Sequence, residues 1–169
     1  MTTIAANRKR MAGDTLVDDN GSIYHASKVF RFGDALVGVA GFAAYTTKFL
    51  QWFRQECPST GDLMCSSVDD EKYDFAALVL RPDGLYRYLD LCEPDKLHDS
   101  FAALGVGAQG ALVAMDMGAS PAEAVRRVMK QSIHTGGRVE EMELIPRRHV
   151  KSLARKRIDV EPVINPSTT

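Results

Sequence analysis

Apolar positions in the first forty residues recur at every second place or in short runs, a spacing that predicts strands. Thr2 to Ala6 reads as a short strand, Asn7 to Arg10 as a polar turn, and Met11 to Val17 as a second strand joined to the first by a hairpin. Asp19-Asn20-Gly21-Ser22 is a turn signal. Ile23 to Phe32 then alternates, which puts Tyr24, Ala26, Lys28, Phe30 and Phe32 on one face. Gly33-Asp34 turns the chain into Ala35 to Gly41, so the opening segment is expected to be a four-stranded meander.

From Ala43 the spacing lengthens. Phe42, Tyr45, Phe49, Trp52 and Phe53 recur at helical intervals, and the helix should end near Pro58. Residues 57–73 are polar and irregular. Phe75 to Leu80 and Leu85 to Leu91 flank Pro82-Asp83-Gly84 and predict a hairpin, with a further short strand at Phe101 to Leu104. Gly107 to Gly118 reads as a helix with Ala108, Ala111, Leu112 and Met115 on one side. Ser120-Pro121-Ala122-Glu123 carries three start signals: a serine cap, proline in the first turn and a glutamate that completes a capping box. Ala122, Val125, Val128 and Met129 supply that helix's apolar stripe, Gly136-Gly137 stops it, and Arg138 to Ile145 is expected to be a last strand. Strands, helix, strands, helices and strand make an α+β order, best satisfied by two sheets with helices outside them.

The 169 residues suit one domain with a real core. A net charge of -1 with 25% charged residues points to neither nucleic acid nor membrane as the main partner. The charge is uneven, however. From Pro146 onward Arg147, Arg148, Lys151, Arg155, Lys156 and Arg157 face only Asp159 and Glu161, so residues 1–145 are read as the folded domain and 146–169 as a basic tail. Cys57, Cys65 and Cys92 form no C-x-x-C pair and argue for a reducing compartment. Asn7-Arg8-Lys9-Arg10 interrupts any signal-peptide-like run, and no stretch approaches a membrane span, which makes the cytoplasm the expected location. His25, His98, His134 and His149 have no metal-ligand spacing, and no phosphate or dinucleotide fingerprint occurs, so neither a metal nor a cofactor is expected.

Four positions carry candidate chemistry. Met1-Thr2-Thr3 can expose a free N-terminal threonine when the methionine is trimmed, and a terminal threonine holds its own base, an α-amine titrating at about 7.7–8.0. The same residues also make an ordinary start to a strand. Lys28 shares its predicted face with aromatic residues, and Asp14 shares its face with Ala12 and Leu16. If those faces are core, each charge needs a partner and the two are natural partners; if they face water, both are surface charges. Gly41 ends a strand where the chain turns into a helix, a place for an oxyanion-binding N–H or simply for a tight turn.

Thr2-Thr3-Ile4, Met11-Ala12-Gly13-Asp14, Ser27-Lys28-Val29, Val39-Ala40-Gly41-Phe42-Ala43 and Leu104-Gly105-Val106-Gly107 occur in an order and spacing that resembles the bacterial HslV peptidase and proteasome β-subunits, over residues 2 to about 145. The resemblance implies an αββα four-layer sandwich of the N-terminal-nucleophile hydrolase class and a threonine-type endopeptidase. By position, Thr2 is the nucleophile, Lys28 the cation that eases its proton loss, Asp14 the carboxylate that holds Lys28, and Gly41 the oxyanion donor. It further implies homo-oligomeric stacked rings that enclose the sites, with polypeptide substrates and an ATP-driven unfoldase as partners.

The sequence departs from the family pattern in three places. Val106 replaces the serine of a Gly-Ser-Gly turn, and Ser132 and Thr135 precede Gly136-Gly137 where proteasome subunits carry an aspartate and a serine. The stretch between Phe53 and Phe75 is shorter and more polar than the family's second helix requires. These departures keep a second reading open, a catalytically inactive scaffold that retains the sandwich and uses it for assembly.

Overall fold

The computed structural model describes residues 1–19, 21–55, 75–89 and 94–145. The first sheet is built from β1 (Thr3–Asn7), β2 (Arg10–Asp14), β10 (Phe101–Gly105) and β11 (Val139–Glu143), in the order β10-β1-β2-β11. The second contains β5 (Val29–Phe32), β6 (Ala35–Gly41), β7 (Phe75–Arg81), β8 (Gly84–Leu89) and β9 (Asp95–Leu97), in sequence order. Every pairing in both is antiparallel. Between them in sequence, β3 (Leu16–Asp19) and β4 (Ser22–His25) form a hairpin of their own. The helices among the described residues are α1 (Ala43–Arg54), α2 (Ala108–Asp116) and α3 (Pro121–Met129).

Three apolar clusters account for the packing. Ile4, Met11 and Leu104 of the first sheet meet Val29, Leu36, Leu78, Leu80 and Leu85 of the second. The approach is close at Ile4, because a β-carbon added to Gly38 would lie 2.7 Å from Ile4 Cγ2. On the far side of the second sheet, Phe49, Trp52 and Phe53 of α1 cover Val37, Val39, Ala77 and Val79. Phe49 anchors this cluster, with its ring centroid 5.1 Å from those of both Phe75 and Tyr88. On the far side of the first sheet, Ala5 and Ala12 receive Ala111 and Met115 of α2 and Ala122, Val125 and Val128 of α3. Residues 3–6 of β1 are therefore buried on both faces, which explains an apolar run, Ile4-Ala5-Ala6, in place of alternation.

The expected capping box at α3 is present in full: Ser120 Oγ accepts from the Glu123 N–H, and Glu123 accepts from the Ser120 N–H. The Pro82-Asp83-Gly84 hairpin and the strand at Ala35–Gly41 also form where the pattern placed them.

Other expectations need correction. The first forty residues are not a meander, since their six strands divide among two sheets and a separate hairpin. The expected strand 11–17 is two strands, because after Asp14 the N–H groups of Thr15 and Leu16 both turn to Gly136 O and lead the chain away from the first sheet. The expected strand 23–32 is likewise broken at residues 26–28, so Tyr24 and Ala26 are exposed while Lys28 is buried and Phe30 and Phe32 are half-buried. In α2 the buried side is Ala111, Ala114 and Met115, with Leu112 outside. Strand β9 lacks an apolar signal in its sequence, Asp95-Lys96-Leu97, and joins the sheet by pairing with β8. The stretch 57–73, the cysteines, His149 and the tail from Pro146 lie outside the described residues.

Replacing Ser120 with alanine removes the cap and leaves an N–H of the first turn of α3 without its acceptor. We expect a loss of about 1 kcal/mol in unfolding free energy, measured by urea denaturation, with an unchanged m-value.

Candidate active site

Strand β2 ends in Asp14, whose side chain is completely shielded from solvent. A dehydrated carboxylate is costly unless several donors replace its lost water. Asp14 has them from three parts of the chain. Thr3 donates its backbone N–H to Oδ1 at 2.8 Å, Gly136 donates its N–H to Oδ2 at 3.2 Å, and Lys28 Nζ lies 3.1 and 3.2 Å from the two oxygens. Lys28 is buried as well, and its ammonium also donates to Leu16 O at 2.5 Å and Met1 O at 2.9 Å. Burial lowers the Lys28 pKa from the ordinary lysine value, while the charge and hydrogen bonds of Asp14 act in the opposite direction.

Thr2 lies at the start of the chain, buried beside this pair. Its hydroxyl donates to Met1 O at 2.8 Å, the same oxygen that Lys28 Nζ reaches. The hydroxyl and the ammonium thus converge on one acceptor atom. The turn after β10 presses against the Thr2 backbone. Gly105 adopts φ 85°, and a β-carbon there would lie 2.0 Å from Thr2 O. Val106, next in that turn, is 55% exposed.

Gly41 is placed differently. It ends β6, is exposed, adopts φ 117° and pairs with Phe75. Its link to the cluster is through the strand, because Val39, two residues earlier, donates its N–H to Lys28 O at 3.0 Å. Thr2, Asp14 and Lys28 are therefore joined by side-chain contacts, and Gly41 stands at the end of the neighbouring strand.

Sequence reasoning passed over three supports. Thr3, read only as part of a strand, supplies an N–H to Asp14 and shares a hydrogen bond with Thr135, Oγ1 to Oγ1, at 2.7 Å. Gly136, read as a helix stop, supplies another donor to Asp14. Thr15 is a third: its Oγ1 accepts from the Arg138 N–H at 2.9 Å and lies 3.4 Å from His25 Nδ1. A usable signal was Thr3 itself, a hydroxyl heading the run Ile4-Ala5-Ala6 in a strand covered on both faces.

No protein-family profile matches the sequence, nor does any curated protein. Solved structures do match. Eukaryotic HslV from Trypanosoma brucei superposes with a TM-score of 0.68 at 17% identity, covering 85% of this chain and 99% of that one. Thiobacillus denitrificans BPH gives 0.63 at 23% identity, covering 86% and 98%, and the same protein in complex with epoxomicin gives 0.63 at 22%, covering 86% and 99%. This chain has the HslV/proteasome-type subunit fold. At such identities the likeness speaks for the fold, and the Asp14–Lys28–Thr2 cluster of this HslV-like chain rests on its own geometry. Among the described residues no helix is long and apolar enough to cross a membrane, and no three His, Cys, Asp or Glu side chains converge on a point that could hold a metal.

Breaking the buried pair leaves an uncompensated charge. Lys28→Met is expected to cost about 3–5 kcal/mol, read by chemical denaturation, and combining it with Asp14→Asn should cost clearly less than the sum of the two single changes. The lowered Lys28 pKa means that the folded chain binds this proton less tightly than the unfolded one, so the group's contribution to stability improves as pH rises through the interval below 10.5. In Lys28→Met that rise should be missing from the stability–pH curve.

Proposed function

We propose that the chain is a threonine-type endopeptidase that uses Thr2 as its nucleophile once Met1 is removed. The observation that carries this reading is the closeness of the Thr2 hydroxyl to the Lys28 ammonium, both of which reach Met1 O, the carbonyl that departs with Met1, with Lys28 held there by a fully buried Asp14. A buried ion pair is a poor stabilising device, since an apolar pair of similar volume does as well or better. Beside a hydroxyl it is useful, because a fixed positive charge favours the alkoxide.

Removal of Met1 frees the Thr2 α-amine, which takes the hydroxyl proton as Oγ1 attacks a peptide carbonyl. Lys28 holds the developing negative charge on Oγ1 in check, and the Gly41 N–H receives the carbonyl oxyanion. Collapse of the tetrahedral intermediate expels the amine half of the peptide, which takes the proton and leaves an ester on Thr2. Water then cleaves the ester and restores the hydroxyl. In the same reading residues 1–145 form the αββα four-layer N-terminal-nucleophile domain, residues 146–169 are a basic appendage, and copies assemble into rings fed by an ATP-driven unfoldase in the cytoplasm.

A non-catalytic assembly role is the competing reading. It is favoured by Val106, an exposed apolar side chain that can neither donate nor relay a proton in the turn that packs on Thr2.

Intact mass spectrometry with and without epoxomicin, the compound bound in the BPH structure, separates the two. The peptidase reading expects a chain lacking Met1 and a one-to-one adduct that disappears in Thr2→Ala. Retained Met1, or a trimmed chain with no adduct and no peptide hydrolysis, favours the scaffold. Activity should also follow a bell-shaped pH profile. Its acid limb is set by the α-amine near pH 7.7–8.0, and its alkaline limb, set by loss of the Lys28 charge, falls below 10.5.

A further inference from the structure

We propose that Thr135 is a positioning residue for Thr2, acting through Thr3; the inference rests on the peptidase reading and deepens it. Thr2 itself stands outside the sheet, since β1 begins at Thr3 and the first pair of its ladder with β10 is Thr3 with Gly105. Thr3 is therefore the first residue held by the strand ladder, and it is gripped on three sides. Its N–H donates to Asp14 Oδ1 at 2.8 Å, its hydroxyl shares a 2.7 Å hydrogen bond with the Thr135 hydroxyl, and a β-carbon on Gly107 would lie 2.2 Å from its Oγ1. Both hydroxyls are buried, at 0% and 3% exposure, so neither has water to replace the other.

Thr135 sits in the loop after α3, and that loop is tied to the end of β2 at several points. Gly136 N–H reaches Asp14 Oδ2, Gly136 O accepts from Thr15 and Leu16, and Arg138 N–H donates to Thr15 Oγ1. One loop thus sets both the side chain beside the nucleophile and the carboxylate that holds Lys28. Among the described residues the Thr135 hydroxyl bonds to Thr3, and it reaches Thr2 through that residue. Loss of that hydroxyl strands Thr3 Oγ1 in a dry site. The relief, a turn of Thr3 or a shift of the loop, moves Thr2 Oγ1 relative to Lys28.

The test measures peptide hydrolysis and epoxomicin labelling on the full chain, after mass spectrometry has verified loss of Met1. The variants are Thr135→Val, Thr135→Ser and the Thr3→Val/Thr135→Val double variant. Positioning expects Thr135→Val to lower kcat by as much as about 100-fold, with KM within a factor of about two, and Thr135→Ser, which keeps the hydroxyl, to restore most of the rate. In the double variant two apolar groups replace the hydrogen-bonded pair. Its Tm should recover while kcat stays low, which also carries the test should the single variant fold poorly. The inference is overturned by a wild-type kcat in Thr135→Val, or by rates that follow Tm across the series and return in the double variant. A trimmed wild-type chain that neither cleaves nor labels overturns the peptidase reading itself, and so remains a distinct outcome.

Discussion

A single dehydrated carboxylate organises one end of this molecule. Asp14 cannot be buried without donors, and those donors come from residues 3, 28 and 136, which belong to β1, the segment entering β5 and the loop after α3. Its solvation requirement therefore acts as a fastening between parts of the chain that apolar contact alone would leave free to slide. Hydrophobic burial is non-directional and sets the distance between layers. The hydrogen bonds of Asp14 are directional and set where the ends of those layers stand.

The apolar clusters make that fastening possible. Ile4 and Met11 face the second sheet while Ala5 and Ala12 face α2 and α3, so β1 and β2 are enclosed on both sides. Small side chains on the helix-facing side let α3 approach, and its stop near Met129 delivers the 132–138 loop to the end of β2. Thr3 and Asp14 are then buried because the strands that carry them are. The polar residues at the ends of two apolar strands have no option but to satisfy one another.

Much of this was legible in the residues. Local chemistry marked the Ser120–Glu123 capping box and the Pro82–Gly84 turn, which form with few neighbours. The pairing of Asp14 with Lys28 was readable because a charge out of place in an apolar pattern demands a partner. The breaks at Thr15 and at residues 26–28 were not. The pattern through them is continuous, and what interrupts it is tertiary: Gly136 O, more than a hundred residues away, captures two N–H groups, and the Lys28 ammonium turns inward toward Asp14. Thr135 and Thr3 were visible as hydroxyls, but their contact spans 132 residues and no local rule reports it. Strand β9 was hidden for a simpler reason, because an edge strand paired on one side needs little apolar character.

The register between β1 and β10 has a consequence for tolerance to change. With Thr3 opposite Gly105 as the terminal pair, the nitrogen of residue 2 falls just beyond the ladder and owes no hydrogen bond to a neighbouring strand. A nitrogen enlisted in a ladder spends its hydrogen on a carbonyl across the sheet; one just past the end is free of that constraint. Side chains alternate faces, so inserting or deleting a residue within β1 would bring a different nitrogen to that end and also turn Ile4 out of the core. Residue counting in a five-residue strand thus couples the packing between the sheets to the choice of which backbone nitrogen falls just past the end of the ladder.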